Sequence, residues 1–351
     1  MNAMPPRRPT MKDVASVAGV SIATVSRVVN GGDVRDDLAL RVHDAIAVLG
    51  YRRDLTASTL RRADRQSGSL GLVFGDVSNP FFSAVHRGVE DFARGHGALT
   101  FAGSSDEDPE RERELVEAFA ARGVDGLVIV PCSRDQSYLQ RERRSGTALV
   151  FVDRPPRFID ADAVLTDNVG GARAAVEHLI AAGHRRIAFL GDRSSIFTAA
   201  ERRRGYREAL DRAGLPHDRA LERPGLGDSD AAGAAARELL LGPKAPTAVF
   251  AGQNLITVGV VRTLRDLGLQ HRVGLVGFDD VVLGDVVEPG ITVVTQDPYA
   301  LGRRAAELLF ARLGGDDGDT RRVELPTRLV PRGSGEIAPD GVVEQATERG
   351  A

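Results

Sequence analysis

The sequence predicts an α/β protein in which a small helical head precedes a larger core made of two similar halves. The first 50 residues contain apolar residues at helical spacing, together with residues that cap helices. From Gly68 onward, short apolar runs alternate with amphipathic stretches, a pattern typical of parallel sheets covered by helices on both faces. The pattern restarts after Asp167, so the 351-residue chain is expected to form a head and two α/β lobes.

The head begins with two short helices joined by a tight turn, within residues 10–30. Thr10 and Asp13 have the spacing of a capping box, and Ser21 is a candidate N-cap for the second helix. Gly19 can adopt the positive φ that ends a helix. The predicted buried faces are Val14, Val17 and Ala18 in the first helix and Val25, Val28 and Val29 in the second. Two helices around a glycine-containing turn are typical of a helix-turn-helix, whose second helix enters the DNA major groove.

A third helix and a polar connector complete this part of the chain. Residues 36–49 are predicted to be helical, and Gly50 is the expected stop, so the head comprises residues 1–50. The inward side chains of this helix are expected to be Leu38, Val42, Ile46 and Leu49. Residues 51–67 form a polar, Arg-rich connector in which Asp54 can cap a short helix, and the alternative is a solvated linker.

The core is predicted to span residues 68–332. Its first half has strands at 70–74, 99–103, 126–130 and 148–152, and helices at 80–94, 109–122 and 136–145. Its second half has strands at 187–190, 248–251 and 273–278, and helices at 170–182, 199–213, 229–241 and 255–267. Segments between 291 and 331, including a helix at 299–313, are expected to cross back between the halves. The N-terminal lobe is therefore placed at about 68–166 and 296–325, the C-terminal lobe at about 167–295 and 326–332, and a polar tail at 333–351.

The distribution of charge separates the head from the core. Residues 1–66 hold 11 Lys and Arg against 7 Asp and Glu, whereas the remainder holds 35 against 42. A basic head on an acidic body is typical of a DNA-binding module fused to a domain with another role. The single cysteine, Cys132, and the lack of an apolar signal segment or of a long apolar run lead us to expect a cytoplasmic protein with no membrane partner.

The residues 13–31, DVASVAGVSIATVSRVVNG, resemble the head of the LacI/GalR family, the lactose-repressor-like bacterial transcriptional regulators. Further stretches similar to this family follow in order from 79 to 280, among them NPFFSAVHRGVED, VFVDRP and VGLVGFDD. The resemblance implies a three-helix head, a hinge helix and a bilobed core like that of periplasmic binding proteins. It also implies a homodimer, because one recognition helix reads too few base pairs for a specific site.

The candidate DNA contacts lie on the second helix and around the helix starts. Arg27 can bond bidentately to guanine, and Ile22 and Ala23 can pack against a thymine methyl group, although Ile22 could instead pack in the core. The candidate phosphate contacts are Thr10, Ser21, Thr24, Ser26 and Asn30. The family resemblance implies that Ala57 and Leu60 enter the minor groove. The usual Pro-Asn of the hinge is Arg53-Asp54 here.

The candidate effector site follows the carboxyl ends of the strands, where open α/β sheets bind ligands. The residues proposed for it are Phe81, Phe82, Asp153, Arg202, Gln253 and Asp279. Carboxylates and an Arg bond well to sugar hydroxyls, and an aromatic ring stacks on the apolar face of a sugar. Phe81 could instead be a core residue, and Asp153 could pair with Arg154 at the surface. Gln253-Asn254 replaces the Asn-Asp that is common in the family, which removes one carboxylate.

These patterns lead us to expect a DNA-binding repressor that recognises a palindromic operator and responds to a small effector, with no cofactor and no metal. The effector is expected to be a carbohydrate, and a nucleoside or purine is the alternative. No G-x-G-x-x-G follows the first strand and no G-x-S-x-G elbow occurs, so an enzyme is not expected. The competing function is a solute-binding protein of a transport system, which the basic head disfavours.

Overall fold

The computed structural model describes residues 9–51 and 67–339, and the chain divides into two compact units between Ser67 and Gly68. The first unit contains three helices, α1 (Met11–Ala18), α2 (Ile22–Val29) and α3 (Asp36–Leu49). Within the described ranges, no helix is both long enough and apolar enough to cross a membrane.

The caps of the head helices are those that the sequence predicts. The Thr10 hydroxyl accepts a hydrogen bond from the backbone amide of Asp13, and the Asp13 carboxylate accepts one from the backbone amide of Thr10. The two bonds form a capping box. Gly19 and Gly50 end their helices at φ of +63° and +62°. The fully buried side chains of the head are Val14, Ala15, Ala18, Val25, Val42 and Ala45.

The structure corrects one prediction about the head core and adds a residue to it. Val17 is 55% exposed rather than buried, because the inner face of α1 runs through residues 14, 15 and 18 at helical spacing. In α3, Ala45 is buried beside Val42 although it is not among the predicted inward residues, while Ile46 and Leu49 pack against this core as expected and are partly buried.

The first lobe of the core is a six-stranded sheet in the order β11-β5-β4-β3-β1-β2, with every pairing parallel. Its strands are β1 (Ser69–Phe74), β2 (Leu99–Ser104), β3 (Gly126–Ile129), β4 (Ala148–Val152), β5 (Asp162–Thr166) and β11 (Arg322–Leu325). Its helices are α4 (Pro80–Gly95), α5 (Pro109–Ala121), α6 (Gln140–Arg144) and α11 (Pro298–Leu313). Alternation along β1 turns Leu70 and Leu72 toward α4 and α11, and Val73 toward α5 on the other face.

The second lobe repeats this plan with the sheet order β12-β10-β9-β8-β6-β7, in which only β12 runs antiparallel to its neighbour. Its strands are β6 (Ile187–Leu190), β7 (Glu222–Arg223), β8 (Ala248–Ala251), β9 (Gly274–Phe278), β10 (Thr292–Thr295) and β12 (Arg328–Val330). Its helices are α7 (Asn168–Ala181), α8 (Phe197–Arg212), α9 (Ser229–Leu241) and α10 (Asn254–Asp266). The predicted fold class, a helical head before two mainly parallel α/β lobes, is confirmed.

Some elements of the core differ from the sequence prediction. Strands β5, β7, β10, β11 and β12 are not among the predicted strands. β5 begins with Asp162, which is buried and paired with Arg312, β7 has only two residues, and β11 and β12 have exposed charged residues, so none of these four resembles a plain apolar run. β10 lies in the segment from 291 to 331, which the sequence predicts only to cross back between the halves. Residues 136–145, predicted as one helix, form a 3-10 turn at Ser137–Leu139 followed by the five-residue α6.

The start of the segment predicted as a polar tail packs on the second lobe. Ser334 is buried, and its hydroxyl donates to the Leu275 carbonyl and accepts the Thr292 amide. The carbonyl of Ile337 lies 2.8 Å from Nε2 of the buried His184. The chain therefore remains part of the second lobe as far as residue 337.

Candidate functional site

The exposed face of α2 carries the three residues proposed for base readout. Val25 is fully buried and faces the head core, while Ile22, Ala23 and Arg27 are exposed. Ile22 is 45% exposed, so the alternative that it packs in the core is wrong. These three side chains share the surface that a recognition helix turns toward the major groove.

The residues proposed for phosphate contacts are mostly engaged in ending the helices. The Ser21 hydroxyl accepts the Thr24 amide at 3.1 Å and lies 2.9 Å from the Thr24 hydroxyl. Asn30 donates its side-chain amide to the Ser26 carbonyl at 2.6 Å. The Thr10 hydroxyl is likewise bonded within its capping box. These groups fix the ends of α1 and α2, where amides free of intrahelical partners can bind phosphate.

The core contains a cavity of about 240 Å³ at the carboxyl ends of strands from both lobes. All six side chains proposed for the effector line it: Phe81, Phe82, Asp153, Arg202, Gln253 and Asp279. Further polar residues line it that the sequence-based selection omits, among them Asp76, Asn79, Glu107, Asp192, Arg193 and Asn254. Asp76, Glu107, Asp192 and Arg193 lie on the loops that follow β1, β2 and β6, whereas Asn79 and Asn254 lie at the starts of α4 and α10.

Asp153 and Asp279 occupy equivalent positions in the two lobes. Each follows a central strand, β4 or β9, and each adopts a left-handed backbone conformation, with φ of +70° and +68°. The Asp153 amide donates to the Val164 carbonyl on the neighbouring strand, and the Asp279 amide donates to Val294 in the same way. Positive φ is costly for a residue other than glycine and is concentrated at binding sites, so this repeated strain supports a functional role for both carboxylates.

Arg202 is held rigidly at the floor of the cavity. Its Nε donates to Asn168 at 2.8 Å, and its Nη1 donates to the Gly252 carbonyl at 2.9 Å and to Asp279 at 3.3 Å. The guanidinium lies 3.8 Å from the centre of the Phe278 ring, a cation–π contact. Nη2 has no hydrogen bond to any residue that the structure describes, so it is available to a ligand.

Asp153 and Arg154 are both buried, so the alternative of a surface pair is wrong. Arg154 instead forms a bidentate ion pair with Glu107, with both N···O distances 2.7 Å, and lies 3.4 Å from Asp153. Burial disfavours the charge on Arg154, but Glu107 outweighs it and raises the pKa of the guanidinium. Burial also raises the pKa of Asp153, and the nearby Arg154 and Arg202 only partly offset this effect.

Amide side chains complete the cavity and connect the two lobes. Asn254 at the start of α10 donates to Asn79, the N-cap of α4 in the other lobe, at 2.8 Å. Two buried oxygens accept no hydrogen bond from the described residues: Oε1 of Gln253, which lines the cavity, and Oε1 of Gln296, whose amide nitrogen donates to Asp279. Buried acceptors without donors are costly, so Oε1 of Gln253 favours a ligand that carries hydroxyl or amine donors.

Aromatic rings form the remaining wall. Phe82 is buried and stacks on Phe74 with 5.8 Å between the ring centres, while Phe81 is partly buried and lies edge-to-face with Phe82. Both therefore serve the core of the first lobe and the surface of the cavity. In residues 9–51 and 67–339, no three acidic, His or Cys side chains are arranged to hold a metal ion.

Comparisons with known proteins identify both parts of the chain. A model of the bacterial regulatory proteins of the lacI family matches residues 10–54, and a periplasmic binding protein-like domain matches residues 176–335. The HTH-type transcriptional regulator CelR of Thermobifida fusca is 35% identical over 339 residues, which cover 94% of this chain and 99% of CelR.

Two solved structures are similar over nearly the whole chain. A complex of the transcriptional regulator CelR with cellobiose has a TM-score of 0.70 and 33% identity, and covers 93% of this chain and 100% of its own. The lac repressor dimer bound to operator and the anti-inducer ONPF has a TM-score of 0.80 and 26% identity, with coverage of 94% and 99%. The chain therefore belongs to the lacI family of bacterial regulatory proteins and is a DNA-binding transcriptional regulator.

Proposed function

We propose that this protein represses transcription as a homodimer on a palindromic operator, and that a small carbohydrate in the cavity between the lobes controls its affinity for DNA. The observation that carries this proposal is the cavity itself. The carboxylates of Asp153 and Asp279, the guanidinium of Arg202 and the unpaired oxygen of Gln253 line it together with an aromatic ring, in a chain that has a helix-turn-helix head.

The polar groups of the cavity match the hydroxyls of a sugar. Asp153 and Asp279 accept hydrogen bonds from hydroxyls, and Nη2 of Arg202 donates to a ring or hydroxyl oxygen. Oε1 of Gln253 accepts a hydrogen bond from a further hydroxyl. Phe82 contacts the apolar face of the sugar ring, and Phe81 packs against Phe82. The CelR structure, whose sequence is similar to this one, contains cellobiose. A nucleoside or purine is the second candidate, because Phe82 can also stack on a base.

The effector acts by favouring one arrangement of the lobes. Both lobes contribute ligand contacts, so a sugar binds more tightly when the lobes are closed around it. The difference between its affinities for the closed and the open arrangement sets how far it shifts the protein toward the closed one. A gel shift on DNA from upstream of the gene, with and without sugars or purines, tests this step. Operator affinity that changes with a sugar and not with a purine supports the proposal. A response to purines alone, or to no ligand, contradicts it.

Arg27 reads a guanine, and Ile22 and Ala23 pack against thymine methyl groups on the same half-site. The phosphate contacts come from Thr10, Ser21, Thr24, Ser26 and Asn30 or from the amides that they position. Ala57 and Leu60, which the family resemblance assigns to the minor groove, lie outside the described residues. Their role as a wedge between base pairs rests on the sequence alone.

The DNA contact is tested with Arg27→Ala on operator and on random DNA. A bidentate Arg–guanine contact contributes about 1–3 kcal/mol of discrimination, so we expect operator affinity to fall roughly tenfold or more while weak, salt-sensitive binding to random DNA persists. Arg27→Lys is the matched control, since it retains the charge and loses the bidentate geometry. An equal loss on both DNAs would mean that Arg27 only contacts phosphate.

The second copy needed for a palindrome docks on apolar surface of the core. Leu99 and Phe101 of the edge strand β2 are exposed, as are Val282 and Val286 in the loop after β9. We propose these as the homodimer contacts because exposed apolar groups on both lobes suit an interface with a second copy. The protein acts in the cytoplasm, where its operator lies.

A further inference from the structure

A second, smaller cavity adjoins the effector cavity and has the opposite charge. It has a volume of about 60 Å³ and shares Glu107, Arg154, Arg193 and Ile196 with the larger cavity. We call it the cationic annex, lined by Glu107, Pro131, Cys132, Ser133, Arg134, Arg154, Pro155, Arg157, Arg193, Ser195, Ile196 and Phe197. The larger cavity is lined by six carboxylates and three arginines, whereas the annex has four arginines and one carboxylate.

The positive charge of the annex is not neutralised by the described residues. Both oxygens of Glu107, the one carboxylate that lines the annex, already bind Arg154. Arg134, Arg157 and Arg193 therefore need another source of negative charge. Among the described residues, no carboxylate forms an ion pair with Arg134 or Arg157, and Arg193 reaches only Asp192 at 3.8 Å. Three exposed guanidinium groups at one cavity attract an anion more strongly than any one of them alone.

The backbone of the second lobe also favours an anion in the annex. The 16-residue helix α8 begins beside the annex, and its N-cap, Ile196, offers no side-chain acceptor to the first amides. Such amides and the helix dipole favour a negative group. Arg134 and Arg157 belong to the first lobe, whereas Arg193 and the start of α8 belong to the second. An anion held here would therefore contact both lobes and draw them together.

We infer that the effector is an anionic sugar, whose phosphate or carboxylate group occupies the cationic annex while its hydroxyls occupy the acidic cavity. This inference rests on the proposed function and specifies its ligand. The annex exceeds the ~10–15 Å³ that a single water needs and fits a compact anionic group rather than a second ring. Arginine suits this role because its planar fork binds phosphate and carboxylate in a bidentate manner.

Calorimetric titration of the full-length protein with matched pairs of ligands tests the inference. The pairs are glucose with glucose 6-phosphate, ribose with ribose 5-phosphate, and glucose with glucuronate, which separate phosphate from carboxylate. The wild type should bind the charged member of at least one pair more tightly. The double variant Arg134→Ala, Arg157→Ala removes the two arginines that line the annex and not the larger cavity. It should lose about tenfold to hundredfold in that affinity, with little change for the neutral sugar.

Two further arms make the result independent of the identity of the sugar and of folding. Arg141→Ala removes an exposed arginine of α6 outside the annex and should behave like the wild type. Inorganic phosphate, at ionic strength held constant with chloride, should raise the Tm of the wild type and of Arg141→Ala by more than that of the double variant. Phosphate that stabilises all three proteins equally, or none of them, overturns the inference.

The outcome also separates this inference from the proposed function. A neutral sugar that binds tightly and alters operator affinity, with no preference for any charged partner, refutes the anionic effector and leaves sugar control of operator binding intact. If neither neutral nor charged sugars alter operator affinity, sugar control fails, whatever phosphate does to the Tm.

Discussion

The buried carboxylate of Asp153 illustrates how a binding site is maintained at a cost to stability. The residue is 4% exposed, its backbone is left-handed, and its strand neighbours fix its position. Burial raises its pKa above that of the same carboxyl group in the unfolded chain, although Arg154 and Arg202 oppose the shift. Ionisation of this carboxyl group therefore favours the unfolded chain. The free energy of unfolding falls as the pH rises from the unfolded pKa toward the higher folded pKa, and the loss is complete above the folded pKa.

Asp153→Asn should accordingly make the ligand-free protein more stable at pH 7.5. We expect the Tm to rise by about 2–4 °C at pH 7.5 and by less at pH 4.5, where ionisation of the unfolded carboxyl is less complete. Thermal unfolding followed by circular dichroism measures both values. Asp317→Asn, at an exposed carboxylate, is the control and should leave the Tm unchanged. A Tm for Asp153→Asn that is equal to or below that of the wild type at both pH values would contradict this account.

At the same scale, the sequence identifies cavity residues that directly follow a strand or lie near a helix start, and it misses several on the loops after β1, β2 and β6. Asp153 and Asp279 are predictable because a polar residue after an apolar run lies at the ligand-binding edge of a parallel sheet. The Glu107–Arg154 pair spans 47 residues, and the Asn79–Asn254 bond spans 175. No local pattern encodes such separations, so these contacts appear only in the folded chain.

Among the elements, the close crossing of α4 and α11 carries the packing of the first lobe. Gly88 and Gly302 lie where the two helices meet, and the remaining contacts come from buried residues such as Val85 and Leu301. A Cβ on Gly302 would overlap the carbonyl of Val85, and one on Gly88 would overlap that of Tyr299. The two backbones approach so closely that neither position has room for a methyl group, even though alanine is the better helix former.

Gly302→Ala should therefore destabilise the core by about 1–3 kcal/mol, the usual cost of overpacking. Urea unfolding measures this loss as a lower midpoint with an unchanged slope. Gly95→Ala is the matched control, because Gly95 ends α4 and a Cβ there meets open space. Gly95→Ala should be neutral or slightly stabilising. If both variants unfold at the wild-type midpoint, the crossing is looser than the structure indicates.

Most helices of this chain and the strands β1, β3, β4, β6, β8 and β9 are predictable because their periodicity and apolar runs are strong, whereas the interior strands β5 and β10 are missed. The predicted helix at 229–241 matches α9 residue for residue, and α4 differs from its prediction by a single residue. The edge strands β11 and β12 are not predictable in this way, because half-exposed strands with arginines resemble loops until a neighbour supplies their hydrogen bonds.

On the scale of the whole core, a hydrogen bond far from the chain crossings and two cavities lie between the lobes. The Asn79–Asn254 bond ties the starts of α4 and α10, and the large cavity and the cationic annex lie between groups from both lobes. An anionic effector that fills both cavities relieves the repulsion between the arginines of the annex and contacts each lobe. It therefore binds the closed arrangement of the lobes more tightly than the open one and shifts the protein toward closure.

Binding of the whole operator depends on the proposed dimer, since both copies must contact the DNA together. Leu99 and Phe101 are 63% and 46% exposed on an edge strand, and Val286 is 71% exposed on the other lobe. Leu99→Glu combined with Val286→Glu should convert a dimer to a monomer in light scattering, because buried unpaired charges strongly oppose association. Operator affinity should then fall at least tenfold, since one head reads only a half-site. Leu241→Glu, at an exposed leucine ending α9, should remain dimeric and bind operator normally. A double variant that stays dimeric would place the interface elsewhere on the core.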